Sequence, residues 1–209
     1  MALIADQLAN IAQRVRQCNK VTLVRAYARA ARQFCSETRW YRVNLSGTLA
    51  AGTRTYSLGS DPDLEIITAQ SVSVTNGTRV IGLRAMAPSA INPNIPQGQP
   101  IRFAYLPEGS IAYDPVPDQA YPTLIELAAQ VRDEATDVPN ELLVKWRQAF
   151  EAGALEFLLS MTGQPWADPQ AAALERAKFR SFINNAKADV QRGFQVGAVR
   201  ALPRRFVTR

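Results

Sequence analysis

The apolar residues of this 209-residue chain change their period twice, and that switch restricts the fold more than any single motif. At the start Leu3, Ile4, Leu8, Ile11, Ala12 and Val15, then Leu23, Val24, Tyr27, Ala30, Ala31 and Phe34, recur at three- and four-residue steps, as on one face of a helix. Two helices are expected, broken at Asn19 to Thr22, with Thr22 as the N-cap of the second. Arg25, Arg29 and Arg32 would line the other side of that helix, a solvated face or, alternatively, a contact for phosphate or an acidic neighbour.

From Trp40 to about Asp133 short β-rich runs alternate with Gly, Pro, Asn and Ser, and most of the thirteen prolines lie between Pro62 and Pro139. The expected strands are Tyr41 to Leu45, Arg54 to Leu58, Ile66 to Val74, Arg79 to Leu83, Ile101 to Leu106, Ser110 to Asp114 and Thr123 to Arg132. Val74-Thr75-Asn76-Gly77-Thr78 supplies residues that accept a positive φ, so the third and fourth runs should form an antiparallel hairpin. The proline-rich stretch from Ala87 to Pro100 lacks periodicity and reads as an exposed loop, either a plain connection or a contact segment.

Helical spacing returns when Pro139 opens a first turn and Leu142, Leu143, Trp146, Phe150, Ala154, Phe157, Leu158 and Met161 follow, up to a stop at Gly163. Asp168 then caps a second helix with Pro169 in its first turn, and Leu174, Ala177, Phe179, Phe182, Ile183, Ala186 and Val190 form its apolar side. So short a connection demands an antiparallel pair, with Trp146, Phe157, Trp166, Phe179 and Phe182 as its core. The expected fold is α+β: a helical bundle from residues 1–39 and 138–193, an antiparallel β insertion at 40–137, and an extended arm at 194–209.

Histidine is absent, which removes the commonest general base, the commonest metal ligand and every nucleophile activated by imidazole. There is no phosphate-cradling glycine loop and no nucleophile elbow, so no catalytic residue, cofactor-binding residue or metal ligand is assigned and the chain is not expected to be an enzyme. Asp61, Asp63 and Glu65 resemble part of a calcium loop but lack its glycine and distal glutamate, which favours turn capping. Glu126, Asp133, Glu134 and Asp137 read as solvated surface rather than as paired catalytic carboxylates. Cys18 and Cys35 are expected to be small buried hydrophobes in a reducing compartment. With neither a membrane-length apolar run nor a signal-peptide pattern, a cytosolic chain without export is expected.

A net charge of +6 leaves nucleic acid open as a partner. Basic and aromatic residues interleave at Arg39-Trp40-Tyr41-Arg42 and at Arg204-Arg205-Phe206, a pattern suited to stacking on single-stranded nucleic acid, although Trp40, Trp146 and Trp166 fit core packing better. The last seventeen residues hold Arg200, Arg204, Arg205 and Arg209, no acidic side chain, and the apolar Leu202, Phe206 and Val207. A basic end that keeps such groups suggests docking on a partner.

Trp146 to Asp189 resembles the C-terminal helical pair of bacteriophage head-to-tail adaptor proteins of the podovirus type, through Gly153-Ala154-Leu155, Gln164-Pro165-Trp166, Phe179 or Phe182, and Ala186-Lys187. Ala30-Ala31-Arg32-Gln33-Phe34-Cys35 with Thr38 and Trp40 is similar to that family's N-terminal helix, and Pro117-Asp118 before Tyr121 to its strand-rich middle. The resemblance implies a structural protein of the virion head-tail junction, formed in the host cytoplasm and joined as a ring, by family habit a dodecamer, under the portal protein. Tail nozzle or tail fibre proteins would attach below, and double-stranded DNA would pass through the lumen during genome ejection. Arg200, Leu202, Arg204, Arg205, Phe206 and Arg209 become the expected portal-binding residues. The alternative is a nucleic-acid-binding protein that uses the arginine helix and the tail directly.

Overall fold

The computed structural model describes residues 1–193 except Ser60, Pro93 and Ile95. It begins with a two-residue strand, β1 (Ala2–Leu3), a 3-10 turn (Ile4–Gln7) and a short helix, α1 (Ala9–Arg14), instead of the single helix expected from Leu3 to Val15. Ile4, Leu8, Ile11 and Val15 are buried as that stripe requires, but Leu3 is half exposed. The cause is the backbone: Leu3 pairs with Asp137 of the strand Asp137–Val138, and the Ile4 N–H donates to the Thr136 carbonyl. Leu3, held extended in that ladder at ψ 128°, lies outside the helical backbone region.

Helix α2 (Lys20–Thr38) is capped by Asn19, whose side-chain oxygen accepts from the Val21 N–H at 2.9 Å, so Thr22 lies inside the first turn and is not the cap. Its far end closes on Arg39 in the left-handed region, at φ 51°. The Thr38 hydroxyl donates to the Phe34 carbonyl at 2.8 Å and accepts from the Trp40 N–H at 3.2 Å, which fixes the turn from helix into sheet.

All seven expected strands are present, six of them with at least one shifted end and β8 as expected: β2 (Arg42–Leu49), β3 (Thr55–Ser57), β4 (Leu64–Asn76), β5 (Arg79–Gly82), β7 (Arg102–Leu106), β8 (Ser110–Asp114) and β9 (Tyr121–Val131), with a short β6 (Arg84–Ala85) between the fourth and fifth. They form two four-stranded sheets, in the orders β2-β9-β4-β5 and β3-β8-β7-β6. The β4–β5 hairpin turns at Gly77, φ 58°, as its sequence demands. Leu83 still donates to Val72 of the first sheet while Arg84 donates to Ile101 beside the second, so the chain changes sheets between those residues. Because β6 enters the second sheet only after this crossing, it runs parallel to β7, an exception to the all-antiparallel insertion expected. The segment 87–100 carries one 3-10 turn, Pro88–Ala90, and its described residues are mostly exposed.

Alternating residues of the two sheets, among them Leu49, Val72, Phe103, Ile111, Tyr113 and Ile125, face one another and form one apolar core. A second core gathers the helices, and it also takes Val131, Ala135 and Val138, so the long strand β9 ends inside it. The last strand, β10 (Asp137–Val138), leads directly to helix α3 (Asn140–Leu159), with Pro139 at the N-cap and not inside the first turn as expected. Helix α3 stops at Leu159, ahead of Gly163, whose φ of 81° belongs to the following turn. Asp168 caps helix α4 (Pro169–Gln191) by accepting from the Gln170 and Ala171 N–H groups at 3.1 and 3.0 Å. Leu174, expected on the apolar side of α4, is 66% exposed instead. In its place Glu175 is buried, because Arg14 reaches its carboxylate from α1 at 2.7 Å.

Candidate partner-binding surfaces

Most carboxylates singled out in the sequence are engaged within the chain. Asp61 accepts from the Asp63 and Leu64 N–H groups at 2.9 and 3.2 Å, and Asp63 accepts from the Thr136 N–H at 3.1 Å, so both organise turns. Glu65 and Asp133 both pair with Arg32, at 3.1 and 3.0 Å. Glu126 pairs with Arg42 at 2.7 Å and accepts from the Ser71 hydroxyl at 3.1 Å. Among the described residues no group of three or more Cys, Asp or Glu is placed to hold a metal ion. Cys35 is fully buried, and burial pushes its thiol up to about 12, while Cys18 is half-buried; both are free thiols.

The arginine stripe of α2 is dispersed by packing. Arg29 lies over the Phe157 ring at 4.2 Å, and Arg32 is held by its two carboxylates. Arg25 borders a groove with Val21, Val24, Glu134 and Ala135. The cations of α4 are similarly used: Arg180 and Lys187 reach Glu37 of α2 at 2.9 and 3.5 Å, Arg176 reaches Glu156 at 2.7 Å, and Asp189 receives Lys145 at 2.6 Å. Burial alone would raise the Glu37 carboxyl, but the Gln33 hydrogen bond and the two cations outweigh it and hold it below the usual range. Glu175 behaves alike, with burial opposed by hydrogen bonds from Arg14 and Lys178.

Arg39-Trp40-Tyr41-Arg42 is not laid out as a stacking platform. The Trp40 ring meets Trp146 edge to face at 5.9 Å with the Lys145 ammonium 5.4 Å from its centre, and Arg42 is tied to Glu126. Of the five aromatics expected between the last two helices, Trp146 and Phe179 are buried, and Phe157, Trp166 and Phe182 are half-buried against the same core. Asp118, in the Pro117-Asp118 pair, accepts the Tyr121 hydroxyl at 2.7 Å where β9 begins. Arg200, Leu202, Arg204, Arg205, Phe206 and Arg209 lie outside the described residues.

Sequence reasoning did not find a concave feature between the two sheets. A groove of about 440 Å³ opens between the two sheets, floored by Val43, Leu45, Leu58, Ile66 and Leu127 and rimmed by Asp61, Glu65, Glu108 and Arg132. Its lining comes from stretches nearly ninety positions apart, from Val43 to Arg132, so no local pattern announces it. Elsewhere single aliphatic side chains stand exposed: Val144 on α3, at 89%, Leu174 on α4 and Val80 on the hairpin.

Caps and ion pairs thus take up most of the singled-out carboxylates, while open grooves and bare aliphatic side chains remain at the surface. The family model described as SU10 adaptor protein matches residues 2–202, and the chain belongs to that family. It is a family of structural bacteriophage adaptors of the virion and not of enzymes. Among curated proteins none matches the chain.

Proposed function

We propose that the chain is the repeating subunit of a ring seated beneath the portal protein, where it joins the DNA-filled head to the tail nozzle or tail fibres and forms part of the conduit for genome retention and ejection. The observation that carries this reading is the family match, which runs from the first strand through both sheets and all the helices into the basic tail. In this reading residues 1–39 and 138–193 act as a helical bundle that carries the β region 40–137 as an insertion, and residues 194–209 act as the arm that reaches the portal. Arg200, Arg204, Arg205 and Arg209 would pair with portal carboxylates, and Leu202 and Phe206 would be buried there. The internal use of Arg29, Arg32, Arg42, Arg176 and Arg180 supports protein partners over DNA, because these guanidiniums already hold a ring or a carboxylate. A strongly basic lumen would moreover retard the passage of DNA.

The test is the mass distribution of the purified chain, alone and mixed with the portal protein of the same phage at moderate salt. A closed ring on the portal is expected, and a chain cut after Gly193 should keep its helical signal but lose the complex. Transfer of the chain onto free duplex DNA, with no portal complex, would replace this reading by the nucleic-acid one.

A further inference from the structure

We propose that the groove between the two sheets is a seat for the chain's own C-terminal segment, residues Arg204 to Arg209, which occupies it in the free subunit. The groove offers an apolar floor of aliphatic side chains, Val43, Leu45 and Leu127 among them, under a rim in which Asp61, Glu65 and Glu108 outnumber Arg132. Among the described residues neither Asp61 nor Glu108 has an ion-pair partner, and Glu65 shares its one cation, Arg32, with Asp133. An occupant that combines positive charge with a large apolar group is therefore the one that this lining recognises. Arg204-Arg205-Phe206-Val207 has that composition, and no acidic residue follows Asp189 anywhere in the chain to repel the rim.

Position favours the same occupant. Arg32 of α2 grips the groove residue Glu65, and Glu37, five positions further along α2, grips Lys187 near the end of α4. Five helical residues advance about 7–8 Å, so the end of α4 lies beside the stretch of α2 whose Arg32 reaches the groove's rim. Leu64, which lines the groove, also packs against the helical core. The thirteen residues from Gly193 to Phe206 can span roughly 40 Å when extended, more than twice the radius of gyration of about 17 Å for a domain of this length. Reach is thus not limiting within one chain, and covalent attachment gives the segment an effective concentration on the order of millimolar.

The seat does not depend on the portal reading, because its test contains no portal and the loss of portal binding on tail deletion is read separately. In the full-length chain Phe206 is replaced by the photo-reactive benzoylphenylalanine, the protein is irradiated at several concentrations, and the linked peptides are sequenced. Linkage within one chain to the peptides carrying Val43 to Leu45, Leu64 to Ile66 or Leu127 to Arg132, unchanged on dilution, is the expected result. Glu108→Lys should lower that yield several-fold with the melting temperature unchanged, and Arg204→Glu with Arg205→Glu added to it should restore part of the yield. Linkage to other surfaces only, linkage between chains that grows with concentration, or no linkage to the groove overturns the proposal.

Discussion

Gly153 of α3 sits tightly against both α2 and α4. A Cβ built there would lie 2.9 Å from the Ala30 Cβ of α2 and 3.1 Å from the Phe179 ring of α4. Ala30 is a small residue on a helical backbone and Phe179 is 1% exposed, so neither neighbour can yield cheaply. Alanine in place of glycine in a helix interior gains about 1 kcal/mol of intrinsic propensity, whereas overpacking a tight core costs about 1–3 kcal/mol. Gly153→Ala is therefore expected to be destabilising by a small net amount, and Gly153→Val by clearly more, as read from urea midpoints. An unchanged midpoint for the valine variant would mean that the helices separate freely at this point. Glycine, alanine and leucine at 153–155 were visible in the sequence as a motif, but the reason for the glycine is the passage of a second and a third helix, which no one-dimensional pattern carries.

Elements were legible where period and punctuation agree. The β4–β5 hairpin and the Asp168 cap stand where expected, because Asn76-Gly77 and Asp168-Pro169 each encode local geometry. Misplacements occur where a distant partner decides: β1 forms because β10 offers a ladder, and Leu174 is exposed because the buried position next to it goes to Glu175, drawn in by Arg14. The groove was illegible for the same reason, being assembled from both sheets. The α2-to-β2 corner is the element junction most open to test. Arg39 is an exposed, non-glycine residue at φ 51°, so Arg39→Gly should relieve left-handed strain and raise stability by up to about 1 kcal/mol. Thr38→Val, which removes a buried hydroxyl from the Phe34 carbonyl and from the Trp40 N–H, should instead cost about 1–2 kcal/mol. Thermal melts of the two variants should shift in opposite directions, and shifts of the same sign would refute this account of the corner.

For the molecule as a whole, the helical layer is closed by ion pairs that converge on two carboxylates. Glu37 on α2 holds Arg180 and Lys187 of α4, and Glu175 on α4 holds Arg14 from the opposite end of the chain. Both carboxyls lie below their ordinary range, because hydrogen bonds and cations outweigh the burial that would raise them. A carboxyl whose folded pKa is depressed binds a proton more readily in the unfolded chain. Its contribution is thus complete above the unfolded value, about 4.3 for glutamate, and is lost as pH falls through the lower folded values. Stability is expected to be flat with respect to these two groups from neutral pH down to about 5, then to fall steeply under acid. Glu37→Gln with Glu175→Gln should lower the urea midpoint at pH 7 and flatten the acid decline, since the double variant has no such protons left to take up. Equal acid slopes for the two proteins would mean that other carboxylates govern the decline and that these clamps do not hold α4 in place. A flattened slope would locate the acid sensitivity of the fold in the contacts that bind its first and last helices to the centre.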